Sequence, residues 1–143
     1  MKDNINALDE LNKGASMGKD TISYVLDQVR DKKLEKILTN QLKEYDRLTN
    51  KIARIYPKYN NEKEPHEINK MEKMMAKKGI EMRLYMDNSS SKISELFLKG
   101  TNMGIIEGRR LLNNKNLDKK VHSLVSEFVN MQEAYVEKLK EFL

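Results

Sequence analysis

The chain has 143 residues, 34% of them charged and 38% hydrophobic, with 27 lysines and arginines against 22 acidic residues and a net charge of +5. That length suits one domain with a real core, and the absence of cysteine excludes disulfides, thiolate catalysis and cysteine-based zinc or iron–sulfur sites. No window approaches the ~18 apolar residues of a bilayer span, and the charged start MKDNINALDELNK is not of signal type; with basic charges interleaved rather than blocked, the sequence predicts a cytoplasmic protein of long amphipathic helices.

The first helix is expected over residues 4–30. Ile5, Leu8, Leu11, Ala15, Gly18, Ile22, Val25 and Val29 recur at steps of three and four, as one helix face requires. Asp3 or Asn4 is placed to cap its start. A short polar turn spans Gln28 to Lys33. The second helix carries Leu34, Ile37 or Leu38, Gln41, Tyr45, Leu48, Ile52 and Ile55, and Pro57 ends it. PKYNNEKEPH, 57–66, is the one clear loop.

A third helical region starts near Pro65 to Glu67, where proline suits a first turn. It carries Ile68, Met71, Met74 or Met75, Lys78, Met82, Tyr85 and Met86. Asn88 to Ser91 are poor helix formers and good caps. The pattern resumes at Ile93, Leu96 or Phe97, Gly100, Met103 or Gly104, and Leu111, so a near-continuous helix over 66–113 is favoured over a break at Asn88. The last helix begins near Leu117 and carries Val121, Leu124 or Val125, Phe128, Gln132, Tyr135, Leu139 and Phe142. No alternating strand pattern competes, and the fold is expected to be all-α.

KGASMG at 13–18 recurs as KGTNMG at 99–104. An offset of 86 also places Leu26 on Leu112. One extra residue in the second turn makes the offset 87, which places DKKL (31–34) on DKKV (118–121), Leu42 on Val129 and Ile52 on Leu139. The chain therefore reads as a hairpin repeat, 4–56 and 92–143, joined by a crossover, 57–91, in one domain spanning 1–143. Two αα-hairpins joined by a long helical crossover give an antiparallel four-helix bundle of ferritin-like arrangement. Gly14 and Gly18, like Gly100 and Gly104, lie one turn apart. The expected reason is a close crossing of the two motif helices, with Met17 and Met103 filling the flanking gaps.

With these motifs, the chain resembles a ferritin-like family of small proteins from spore-forming bacteria, and more loosely the ferritin-like spore-coat proteins. The resemblance spans nearly the whole chain. It implies the fold and carries no established activity to transfer.

A ferritin-type di-metal centre needs converging carboxylates and Glu-x-x-His pairs. Here Gln41-x-x-Glu44-Tyr45 holds the spacing without the histidine, and the glycine motifs hold no carboxylate. His122 is about two turns from the last helix's centre, and His66 lies in the loop. The expectation is no cofactor, with Gln41–Tyr45 and Gln132–Tyr135 pairing as a core polar network. The alternative is a metal-binding oxidase or storage protein, with iron or manganese held by Glu44 and some of Glu95, Glu107, Glu127 and Glu133. Copper(I) on the methionine stripe lacks a helping His or Cys, so those methionines are expected in the core or a dimer interface. KIARIYPKYN (51–60) and MMAKKGIEMR (74–83) mix basic and apolar residues, but no nucleic-acid recognition motif accompanies them. No nucleophile–His–carboxylate set, P-loop or dinucleotide fingerprint is present. The functional reading is a non-enzymatic structural or protein-interaction module, self-associating as a homodimer or binding a protein partner, with no membrane and nucleic acid disfavoured.

Overall fold

In the computed structural model, which describes residues 2–61 and 64–143, two aspartates start the helices that leave the tight corners. Asp31 accepts hydrogen bonds from the Lys33 and Leu34 amides at 2.8 and 3.1 Å and begins α2, Lys32–Ile55. Asp118 accepts from the Val121 amide at 2.9 Å and begins α5, Lys119–Lys140. Both are N-caps that satisfy otherwise orphaned amides. They occupy the same place in DKKL and DKKV.

The helix before α2 is α1, Lys2–Val25. A 3-10 turn at Leu26–Gln28 closes it. Asp3 and Asn4 do not cap α1, as the sequence suggested. They reach across to the second corner, where Asp3 accepts from the Asn116 amide and Asn4 from the Asp118 amide, at 2.8 and 2.9 Å. α2 stops at Ile55, and Pro57 sits in the next 3-10 turn. Glu62 and Lys63 of the expected loop lie outside the described residues.

The near-continuous helix expected over 66–113 is in fact two helices. The crossover holds α3, Lys70–Met86, and the chain breaks before α4, Ser90–Asn114. Local hydrogen bonding makes the break. Asp87 is extended and its carboxylate accepts from the Ser89 amide, while the Ser89 hydroxyl caps α4 by accepting from the Lys92 amide. Side-chain competition of this kind ends helices. The start also differs: Asn69 caps α3, so the helix begins after Pro65 to Glu67 rather than at them.

Ion pairs and hydrogen bonds fix the course of the chain. Asp9 accepts from the His66 amide, Ser16 donates to Glu67, and Lys73 meets Asp20 at 3.6 Å. Lys77 lies over the Tyr24 ring at 5.4 Å. The crossover thus runs in the same direction as α1. α4 turns back, and the Ser94 hydroxyl near its start donates to the Leu139 carbonyl near the end of α5. The result is two antiparallel hairpins, α1–α2 and α4–α5, joined by a long return. Among the described residues there is no strand, and no helix is long and apolar enough to cross a membrane.

The core comes from the four long helices, with Leu8, Ile22, Leu38, Leu48, Ile52, Ile93, Phe97, Val125, Phe128 and Leu139 buried. α3 buries only Leu84. Its inward face is Ala76, Ile80 and Leu84, so the methionine stripe is not in the core, one of the two places expected for it, and points outward from the chain.

The Tyr59 hydroxyl donates to the Asp118 carboxylate at 2.6 Å. That bond, and after it the Val121 amide, holds the Asp118 carboxyl below its ordinary value. Burial, then the Asp118 charge, pushes Tyr59 up to about 12. A depressed carboxylate stabilises the fold above its unfolded value, near ~3.9, and the stabilisation vanishes as pH falls through the folded value. Asp118→Asn retains a capping side chain but cannot ionise. Urea melts should show wild type more stable than Asp118→Asn near neutral pH, with the gap closing below about pH 3.

Candidate functional site

The inward faces of α2, α4 and α5 place four polar side chains at the bundle centre. Gln41 and Tyr45 are one turn apart on α2, Thr101 is on α4 and Gln132 on α5, and all are buried. The Tyr45 hydroxyl donates to Gln132 Oε1 at 2.7 Å. Gln41 Nε2 donates to the Tyr45 oxygen and to Thr101 Oγ1, both at 3.2 Å. Burial pushes the Tyr45 phenol up to about 12, although its bonds to Gln132, Thr101 and Gln41 pull the other way. It is neutral near pH 7 and donates its one hydroxyl hydrogen to Gln132.

The network is partly what the sequence suggested. Gln41 does bond Tyr45. Gln132 does not pair with Tyr135; its carbonyl oxygen instead accepts from the Tyr45 hydroxyl. Tyr135 is buried, with the Lys138 ammonium 4.8 Å from its ring centroid. Thr101 went unnoticed: it lies inside KGTNMG, where the glycines drew the reading. The offset of 87 that aligns the second helices carries Tyr45 onto Gln132.

Tyr45 and Gln132 account for the second glycine of each motif, Gly18 and Gly104, which are 86 apart. A Cβ on Gly18 would lie 2.5 Å from the Tyr45 ring, and a Cβ on Gly104 would lie 2.3 Å from Gln132 Nε2. The close approach is thus a side chain from the helix's own hairpin partner, not the backbone of the other motif helix. Gly108 does the same for Val129, at 2.4 Å. The first glycines differ. Gly14 would meet Phe128 at an ordinary 3.5 Å, and a Cβ on Gly100 would meet nothing within 4 Å. Met17 and Met103 do not fill a crossing either; both are exposed.

Between α1 and α4 the glycine faces border an open groove of about 320 Å³. Its walls are Leu11, Met17, Leu96, Phe97, Met103 and Leu111, and Ile68 of the crossover contributes. Tyr45, Thr101, Phe128 and Gln132 form the floor, with Glu10, Lys13 and Glu107 among the bordering residues. The Tyr45 and Phe128 rings stand 6.5 Å apart, tilted by 45°. Among the described residues, two amide atoms of the network have no hydrogen-bond partner: Gln132 Nε2 beside the groove, and the fully buried Gln41 Oε1 behind it.

The glutamates considered for metal lie elsewhere, each beside a cation. Glu44 and Glu127 both bond Arg47, and Glu127 also meets Lys51 at 3.2 Å. Burial raises the Glu127 carboxyl, but Arg47 and Lys51 outweigh it and hold it below its usual value. Glu95 pairs with Lys92, Glu107 with Arg110 and Glu133 with Arg109. Among the described residues, no three His, Asp or Glu side chains gather where a metal could be held. The donors present do not fit a di-metal centre. Of the basic stretches, Lys51 and Arg54 of the first sit beside Lys119 and Lys120, with Glu127 between them in charge.

No family model matches the chain, and no curated protein or solved structure matches it at a significant level.

Glycine in a helix interior costs about 0.5–1 kcal/mol relative to alanine, so the glycines separate by what fills their space. Gly100→Ala should raise stability by about that amount in urea melts. Gly18→Ala and Gly108→Ala should lower it by about 1–3 kcal/mol, because a buried ring or a short valine must move. Tyr45→Phe leaves the Gln132 acceptor and a Gln41 donor facing each other without the bridging hydroxyl. A loss of about 1–3 kcal/mol is expected, with helix content unchanged by circular dichroism.

Proposed function

We propose that the protein is a non-enzymatic interaction module on a ferritin-like scaffold, and that α3 is its self-association face. The carrying observation is the outward side of α3. Met71, Met74, Met75, Met82, Tyr85 and Met86 are 67 to 90% exposed. A contiguous apolar patch on one surface element marks an interaction site, and methionine adapts to an opposing surface.

The occupant argued for is a second copy. Positions 71, 74, 78, 82 and 85 are spaced three, four, four and three, symmetric about Lys78. An antiparallel pair centred there sets Met71 opposite the partner's Tyr85, and Met74 opposite the partner's Met82. On one flank Glu72 falls within a turn of the partner's Arg83. On the other, Lys77 falls within a turn of the partner's Glu81. Opposite charges across an antiparallel pair favour that register. Lys78 at the axis can lead its ammonium outward along its stem, and the open space at Gly79 helps it. A standard interface takes roughly 800 Å² and about 20–30 residues from each partner, so these six large side chains would form its apolar centre. The neutral network at the bundle centre suits a scaffold better than oxidase or storage chemistry. The ferritin-like reading itself rests on the two hairpins and the long return.

Analytical ultracentrifugation should show wild type as a dimer at micromolar concentration. Met74→Lys with Met82→Lys, both at exposed positions, should weaken dimerisation by at least about tenfold with unchanged helicity. A wild type that stays monomeric, or a double variant that dimerises as well, would overturn the proposal.

A further inference from the structure

We infer that the groove between α1 and α4 binds a small uncharged molecule with an apolar body and one carbonyl or hydroxyl head. This does not depend on self-association through α3. The groove's volume, about 320 Å³, lies at the lower end of small-molecule sites. Like such sites it combines apolar walls with few polar groups.

The head is placed by the floor. Gln132 is 2% exposed and lines the groove, and its Nε2 has no protein acceptor. The residue is buried while this nitrogen opens onto the groove, where a carbonyl or hydroxyl oxygen can accept from it. The Gln132 carbonyl oxygen is held by Tyr45, so the orientation of the amide is set and Nε2 is the end left over. Gly100 is the second observation. It is exposed on the groove wall, and no protein atom uses the room left by its missing side chain.

Charge decides the class. The polar floor groups, Tyr45, Thr101 and Gln132, are all neutral, and burying a carboxylate without a cation is costly. At the border Lys13 already faces Glu10 at 3.7 Å and Glu107 faces Arg110 at 3.8 Å, so among the described lining residues no cation is left over for an anionic head. An anionic head is therefore rejected where a neutral one is accepted.

The test titrates the full chain with N-phenyl-1-naphthylamine, a neutral apolar fluorophore, and displaces it with 1-decanol or decanoate. Wild type should bind one dye per chain saturably. Met74→Lys with Met82→Lys should bind equally, since that face is separate. Gly100→Leu fills the groove and should weaken binding by at least about tenfold without a loss in melting temperature. Met17→Asp, on the facing wall at an exposed position, should weaken it as well and serves if Gly100→Leu fails to fold. Decanol should displace the dye at least about tenfold better than decanoate at pH 7. No saturable binding, binding untouched by both groove variants, or binding lost with the α3 face would overturn the site. Equal displacement by decanoate would overturn the uncharged head.

Discussion

One hydrogen bond ties the bundle across its middle: Tyr45 on α2 to Gln132 on α5, joining the two hairpins. Both partners are buried, so neither can return to water without leaving the other unsatisfied. To reach one another, the ring must lie against α1 and the amide against α4. A Cβ at Gly18 would collide with the Tyr45 ring, and one at Gly104 would push the end of the Gln132 amide aside. The glycine motif and the polar centre are therefore one device seen from two sides. The glycines leave little bulk between α1 and α4, and the groove lies there.

Charge is organised in the opposite sense. Arg47 gathers Glu44 and Glu127 between α2 and α5, close to the solvent. The remaining candidate glutamates face nearby lysines and arginines. Exposed pairs of this kind contribute little stability individually, but they keep carboxylates out of the core. What stays inside is neutral, and the raised Tyr45 phenol keeps it so. A neutral, mutually bonded set specifies register between helices. It offers neither an acid–base pair nor a nucleophile activated by a neighbour.

The sequence made α1, α2 and α5 legible because their apolar faces meet a core and repeat at helical spacing over many turns. The corners were legible too, since an aspartate before a helix has one strong use. α3 was legible as a helix but not as to which way it faces. A methionine stripe has the same period whether it looks inward or outward, and only packing decides. The break before α4 depended on Asp87 and Ser89 bonding their own backbone, a contest that periodicity does not see. At the site, Gln41 and Tyr45 stood out as polar residues on an apolar stripe. Thr101 did not, because its role appears only when α4 is laid against α2. The partner choice of Gln132 was hidden for the same reason: Tyr135 is near in sequence, whereas Tyr45 is near in space.

The place of α3 is set by the surface the bundle leaves over. The four long helices complete the core without it, apart from Leu84. The crossover must still return the chain along α1, and it does so on polar ties: Asp9 to the His66 amide, Ser16 to Glu67, Lys73 to Asp20, Lys77 on Tyr24. A helix held by its polar edge has no core in which to place its apolar residues. Its methionines face out because the inward side is already taken by Ala76, Ile80 and Leu84, with the polar ties beside them. Segments with little apolar burial open locally at low free energy. Covering the outer face of α3 is the one change that would bury apolar surface there without disturbing the core. The same segment sends Ile68 into the groove wall, so the groove and the methionine face share a single stretch of chain.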